Sequence, residues 1–149
     1  MQLGPAGLAL IKVSEGFRPR VYTDIAGLPT VGYGHRLQGG ESFPDGIDEA
    51  QGEQLLAADV AFAERCVTNL VHVDLTEGQF DALVDFTFNL GAGRLASSTL
   101  LKDLNAGLYE TAAHQLLTWD HGLVGGQEEE LAGLKSRRGA EYQLWHQAA

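Results

Sequence analysis

The sequence predicts an α+β fold that is mostly helical, and three observations carry that expectation. Glycines and prolines crowd residues 17–46, where short β-prone runs are separated by turn signals. After Asp48, apolar residues recur at helical spacing through most of the chain. The two patterns do not interleave, so sheet and helices are segregated rather than alternating.

Pro5, followed by Leu8, Ile11 and Val13, suits a short first helix that closes near Ser14–Gly16. "RVYT" and "TVGYGHRL" then read as strands of a small sheet or hairpin, set among Gly27, Gly32, Gly34, Gly39, Gly40 and Gly46. Asp48 with Gln51 forms a capping box that opens one long amphipathic helix over 49–70, marked by Leu55, Leu56, Ala58, Phe62, Cys66 and Leu70. Thr76 with Gln79 repeats the device, and Phe80, Leu83, Val84, Thr87 and Phe88 carry that helix to a stop at Gly91. Three further helices are expected over 96–107, 108–119 and 128–147. The triplet Glu128–Glu129–Glu130 is expected at the solvated N-terminus of the last, where acids complement the helix dipole.

With 149 residues and 16.0 kDa, the chain is long enough for one domain with a real core. The net charge of −10, from ten Lys and Arg against twenty Asp and Glu, repels nucleic acid and anionic membranes at long range and counts against both as main partners. A single cysteine, Cys66, rules out an intrachain disulfide and a cysteine zinc site, and is expected as a small buried residue. The five histidines (35, 72, 114, 121 and 146) are scattered, so neither a metal centre nor any other cofactor is expected. The N-terminal apolar stretch is broken by Pro5 and glycines and lacks a basic n-region, so neither membrane insertion nor a cleaved leader is expected. A monomer is the default.

The chemistry concentrates in "SEGFRPRVYTDIAGLPTVGYGH", residues 14–35. Breaking a glycosidic bond takes a proton donor at the leaving oxygen and a carboxylate on the other face of the sugar, with environments that keep one protonated and the other ionised. Glu15 ends a helix between Val13 and Phe17, and a helix C-terminus and apolar neighbours both favour the neutral carboxyl. Asp24 falls in a polar turn where ionisation is easier, and Thr30 is placed to hold a water against it. Alone, two acids nine residues apart are also what solvated loops contain.

The whole string resembles the signature of the phage-type lysozymes, glycoside hydrolase family 24: a helix-ending Glu15–Gly16, a sheet carrying Asp24 and Thr30, then Thr30–Val31–Gly32–Tyr33–Gly34–His35. Matching segments continue in order: Ile47 to Gln51 through Leu55–Leu56 to Asp59, then "FTFNLGAGRLASSTLLKDLNAG" at 86–107, and Trp119 followed by Gly133–Leu134–Lys135–Ser136–Arg137–Arg138–Gly139–Ala140–Glu141. The resemblance implies a lysozyme-like fold: one domain, 1–149, with an N-terminal lobe bearing the sheet (1–47), a connecting helix (48–71) and a helical lobe (72–149). It implies peptidoglycan as partner and substrate, cut at the β-1,4 bond between N-acetylmuramic acid and N-acetylglucosamine with inversion. Glu15 would be the general acid, Asp24 would activate or orient water, and Thr30 would place that water.

The family pattern also pairs His35 with Asp59 in a stabilising contact between sheet and helix. Either Arg137 or Arg138 is expected to reach Glu15, with Arg137 preferred; two exposed helix arginines are the plainer alternative. Phe88 and Asn89 match the end of a cleft-lining helix. Phe88 equally suits the core and Asn89 a helix cap, and Trp119 is either core or a platform for sugar. A lytic transglycosylase needs one acid and no water-activating partner, and a wall-binding module needs neither acid, so the presence of Glu15, Asp24 and Thr30 together favours the hydrolase. Without leader or anchor, the resemblance implies accumulation in the host bacterial cytoplasm until a holin opens the membrane.

Overall fold

The computed structural model describes residues 1–124 and 127–147. Helix α1, Pro5–Glu15, leads into a three-stranded antiparallel sheet of β1 (Arg18–Thr23), β2 (Pro29–Gly32) and β3 (His35–Arg36), in that spatial order. Helix α2, Glu49–Leu70, follows, and then α3 (Glu77–Leu90), α4 (Ala92–Ser97), α5 (Thr99–Asn105) and α6 (Tyr109–Leu116). A hairpin of β4 (His121–Val124) and β5 (Gln127–Glu130) precedes the last helix, α7 (Ala132–Trp145). The mostly helical α+β class is the one the sequence predicts.

Both capping boxes form. Asp48 accepts the Gln51 N–H at 2.8 Å while Gln51 accepts the Asp48 N–H at 2.9 Å, and Thr76 and Gln79 repeat the exchange at 3.2 and 2.9 Å. Two expectations about helices are corrected. The helix read over 96–107 is broken at Ser98, whose extended backbone and hydroxyl, accepting the Leu101 N–H, make it the N-cap of α5. Glu128–Glu130 belong to β5 rather than to a helix N-terminus. Four cross-strand pairs, from His121 with Glu130 to Val124 with Gln127, and a bond from the Leu131 N–H to the Asp120 carbonyl satisfy that backbone. The dipole preference behind the helical reading is worth only about 0.3–1 kcal/mol and yields to that ladder.

Helix α3 is the axis of the main core. Phe80, Leu83, Val84 and Phe86 pack with Leu100, Leu104 and Leu116, all nearly inaccessible to water. A smaller cluster of Ile11, Tyr33, Leu56 and Val60 joins α1, the sheet and α2. Cys66, expected buried, is only partly so, because it lies beside rather than on the stripe of Val60, Ala63 and Val67 that α2 turns inward.

Three polar residues of α3, Asp81, Asp85 and Asn89, are spaced by four and so share one stripe of the helix. Asp81 is buried and accepts the N–H groups of Gly4 and Gly7 at 2.9 and 3.1 Å, capping an α1 whose own N-cap, Gly4, has no side chain to offer. Burial pushes the Asp81 carboxyl up in pKa, and those two backbone bonds oppose it. Helix α1, which delivers Glu15, is therefore anchored to α3 at its start.

Candidate active site

An open cleft runs between the sheet and the helices, lined by Glu15, Tyr22, Asp24, Thr30, Gly34 and Arg36 on one side and Phe62, Thr87, Phe88 and Asn89 on another. It encloses about 330 Å³, within the range of ligand sites.

Glu15 is the last residue of α1. Of the two apolar neighbours expected to enclose it, Val13 is 83% exposed and Phe17 is partly buried. The carboxyl accepts Arg137 Nη1 at 2.8 Å, a contact between residues 122 positions apart. The same guanidinium donates from Nε to Asp85 Oδ2 at 3.0 Å and from Nη2 to Asp85 Oδ1 at 2.8 Å. Burial works against the Arg137 charge, but Asp85 and Glu15 outweigh it and raise its pKa. Arg137 is thus the arginine that reaches Glu15. Arg138 points the other way, fully buried, against Glu141 at 2.5 Å and with Asp85 at 3.9 Å. Burial first, and then the neighbouring Asp85 carboxylate, push the Glu141 carboxyl well above its ordinary pKa, against the pull of Arg138.

Gly34 brings the hairpin against Glu15. Its φ of +69° suits glycine, and a Cβ there would lie 2.5 Å from Glu15 Oε2.

Asp24 follows β1 in a tight turn. Its Oδ1 accepts the N–H groups of Ala26 and Leu28, each at 2.9 Å, and its Oδ2 accepts Arg36 Nε at 3.2 Å. The Leu28 N–H leads in lowering the Asp24 pKa, partial burial opposes it, and the Arg36 charge adds to the lowering. The sheet pairs Tyr22 with Thr30 and Thr30 with Arg36, which brings these side chains into one neighbourhood. Thr30 donates its hydroxyl proton to the Leu28 carbonyl at 3.0 Å, so its oxygen is left as an acceptor towards the cleft.

His35 is buried, with Nδ1 at 2.7 Å from Asp59 and Nε2 at 2.9 Å from Glu41. Burial pulls the imidazole down in pKa, but the hydrogen bonds to Glu41 and Asp59 overcome it, and the ring ends above its ordinary value. Phe88 and Asn89 line the cleft. Trp119 is not among the described lining residues. It meets Phe86 edge-on at 5.6 Å and packs against the main core. Sequence reasoning named Gly34 in the motif without a role and passed over Arg36, Asp85 and Glu41. Of these three, the alternation that puts Arg36 on the same face of the hairpin as Thr30 could have found Arg36.

A helical body, a small sheet beside it and a carboxyl-lined cleft between them are the architecture of a lysozyme-type glycoside hydrolase. The family profile described as Phage lysozyme matches residues 12–141. The endolysin of Acyrthosiphon pisum secondary endosymbiont phage 1 is 37% identical over 148 residues, covering 99% of this chain and 100% of that protein. Among solved structures, the muramidase domain of SpmX from Asticaccaulis excentricus superposes with a TM-score of 0.88 at 33% identity, covering 99% of each chain. The endolysin from Escherichia coli O157:H7 phage FAHEc1 superposes with a TM-score of 0.87 at 37% identity, covering 98% of this chain and 94% of that one. The chain belongs to the phage lysozyme family. It is, at that level, a peptidoglycan-lysing glycoside hydrolase.

Proposed function

We propose that the protein is an endolysin-type muramidase that hydrolyses the β-1,4 bond between N-acetylmuramic acid and N-acetylglucosamine, with inversion at the anomeric carbon. The observation that carries this reading is the joint lining of one cleft by Glu15, from a helix end, and by Asp24 and Thr30, from the adjoining sheet. Glu15 supplies the proton to the leaving oxygen. Arg137, held by the buried Asp85, fixes the carboxyl's orientation through Oε1 and leaves Oε2 for the substrate. Asp24, kept ionised by the Leu28 and Ala26 N–H groups and Arg36, accepts one proton from the attacking water, and the Thr30 oxygen accepts a hydrogen bond from the O–H that the water keeps.

Among the described residues no helix is long and apolar enough to cross a membrane. The likeness to phage endolysins supports a route to the wall from the host cytoplasm once a separate factor has opened the membrane.

Digestion of purified peptidoglycan by wild type and Glu15→Gln tests the reading. Wild type is expected to release reducing N-acetylmuramic ends, first as the α-anomer in proton NMR, with activity falling about 10²–10⁴-fold in the variant. Anhydro-muramic ends would make it a transglycosylase and remove Asp24 and Thr30 from the mechanism. A first-formed β-anomer would establish retention.

A further inference from the structure

Arg36 stands apart on the cleft wall. Among the described residues that line the cleft it is the one cation, set among the carboxyls of Glu15, Asp24 and Asp59 in a protein of net charge −10. The register of β2 and β3 places it opposite Thr30, and its Nε is the atom that holds Asp24. That contact uses one of five N–H donors. The side chain stays 55% exposed, and no hydrogen bond ties its terminal nitrogens to a described residue. The geometry therefore leaves a fork of parallel donors at the cleft surface, next to the proposed water-activating carboxylate.

Such a fork matches a carboxylate. On the muramidase reading, which this inference rests on, the substrate brings one wherever it brings muramic acid. The lactyl branch carries a free carboxyl or a stem peptide that ends in carboxylates, whereas the other sugar of the repeat is uncharged. An acidic protein repels such a polymer at long range, and a single local cation offsets that repulsion where the branched sugar docks. Arg138, Arg137 and Lys12 cannot serve, because the first two are buried in ion pairs and the third is held by Glu53. We propose that Arg36 is a specificity-determining residue: its Nη donors bind a carboxylate of the muramic acid branch while its Nε steadies Asp24.

The test compares wild type, Arg36→Gln and Arg36→Lys on three glycans at about 0.15 M salt, where long-range repulsion is screened. These are strands carrying stem peptides, strands stripped to the free lactyl carboxylate, and stripped strands whose carboxylates have been converted to methyl amides. Wild type is expected to show kcat/KM about tenfold higher on a carboxylate-bearing strand than on the amidated one, mainly through KM. The strand that carries the preference identifies the lactyl or the peptide carboxylate as the ligand. Arg36→Gln should erase the preference, and Arg36→Lys should retain part of it. An equal fall on all three strands in Arg36→Gln would reduce Arg36 to a support for Asp24 and overturn the proposal, as would a wild type without preference. A wild type that cleaves no strand would instead overturn the muramidase reading itself.

Discussion

The two walls of the cleft hold their carboxyls by opposite means. On the helical wall, Glu15 is bonded to an arginine that is itself bonded to Asp85, and Arg137, Arg138, Asp85 and Glu141 are all buried. On the sheet wall, Asp24 is held by backbone N–H groups of its own turn and by an arginine that is more than half exposed. Buried ion pairs cost desolvation to form and are severely destabilising to break singly, whereas exposed pairs contribute little to stability. The helical wall thus couples the proposed acid to the integrity of the fold. The sheet wall leaves its residues free to exchange partners with water and substrate.

That contrast breaks first at the buried pair. Arg138→Met leaves the buried Glu141 without its cation, while Asp85 keeps Arg137, and the expected loss in urea denaturation is about 3–5 kcal/mol. Arg36→Gln on the opposite wall is expected to cost less than about 1 kcal/mol in the same measurement. Equal losses would erase the distinction between the walls.

Gly34→Ala probes where the walls meet. The added Cβ must displace the Glu15 carboxyl and also adopt a positive φ, so a stability loss of about 1–2 kcal/mol is expected by thermal melting. Wall lysis should fall further than that loss accounts for. Activity that merely tracks the remaining folded fraction would show that Glu15 tolerates the displacement.

His35→Asn tests the join between sheet and α2, with a sign set by proton linkage. The imidazole's pKa is raised in the fold, so its contribution is full below its unfolded value of about 6.5 and disappears as pH rises through the folded value. The Glu41 carboxyl is lowered, chiefly by the Gln38 N–H and then by His35, so its share is present above its unfolded pKa and is lost in acid. Burial raises the Asp59 carboxyl, and His35 opposes that rise. The substitution is therefore expected to cost about 1 kcal/mol near pH 5.5 and clearly less at pH 9, read by chemical denaturation. A loss independent of pH would mean that packing, not charge, joins the two elements.

The smallest effect expected is that of salt. With a net charge of −10, encounter with an anionic wall is slowed at low ionic strength, and lysis should rise as moderate salt screens the repulsion. A steady decline with salt would show that attraction at the cleft, through Arg36, outweighs the repulsion of the whole surface.

What was legible in the sequence was local. The capping boxes at Asp48 and Thr76 marked the starts of α2 and α3 because N-cap and N3 residues find each other within one turn. The string from Glu15 to His35 named its candidates because their spacing lies within one helix end and one hairpin. The hairpin of β4 and β5 was misread because an acidic triplet suits a helix start as well as a strand, and only the pairing partner decides between them.

The sequence by itself thus determined the element starts, the α+β class and the candidate carboxyls, all of which depend on residues a few positions apart. Tertiary structure alone decided which arginine meets Glu15, that Asp81 caps α1 from 74 and 77 residues away, and that Asp85 is buried beneath Arg137. Those outcomes depend on how α1, α3 and α7 stack. On a helix the same acids at i and i+4 serve equally as a solvated face, and no local signal distinguishes that face from a buried one until the partner helices are in place.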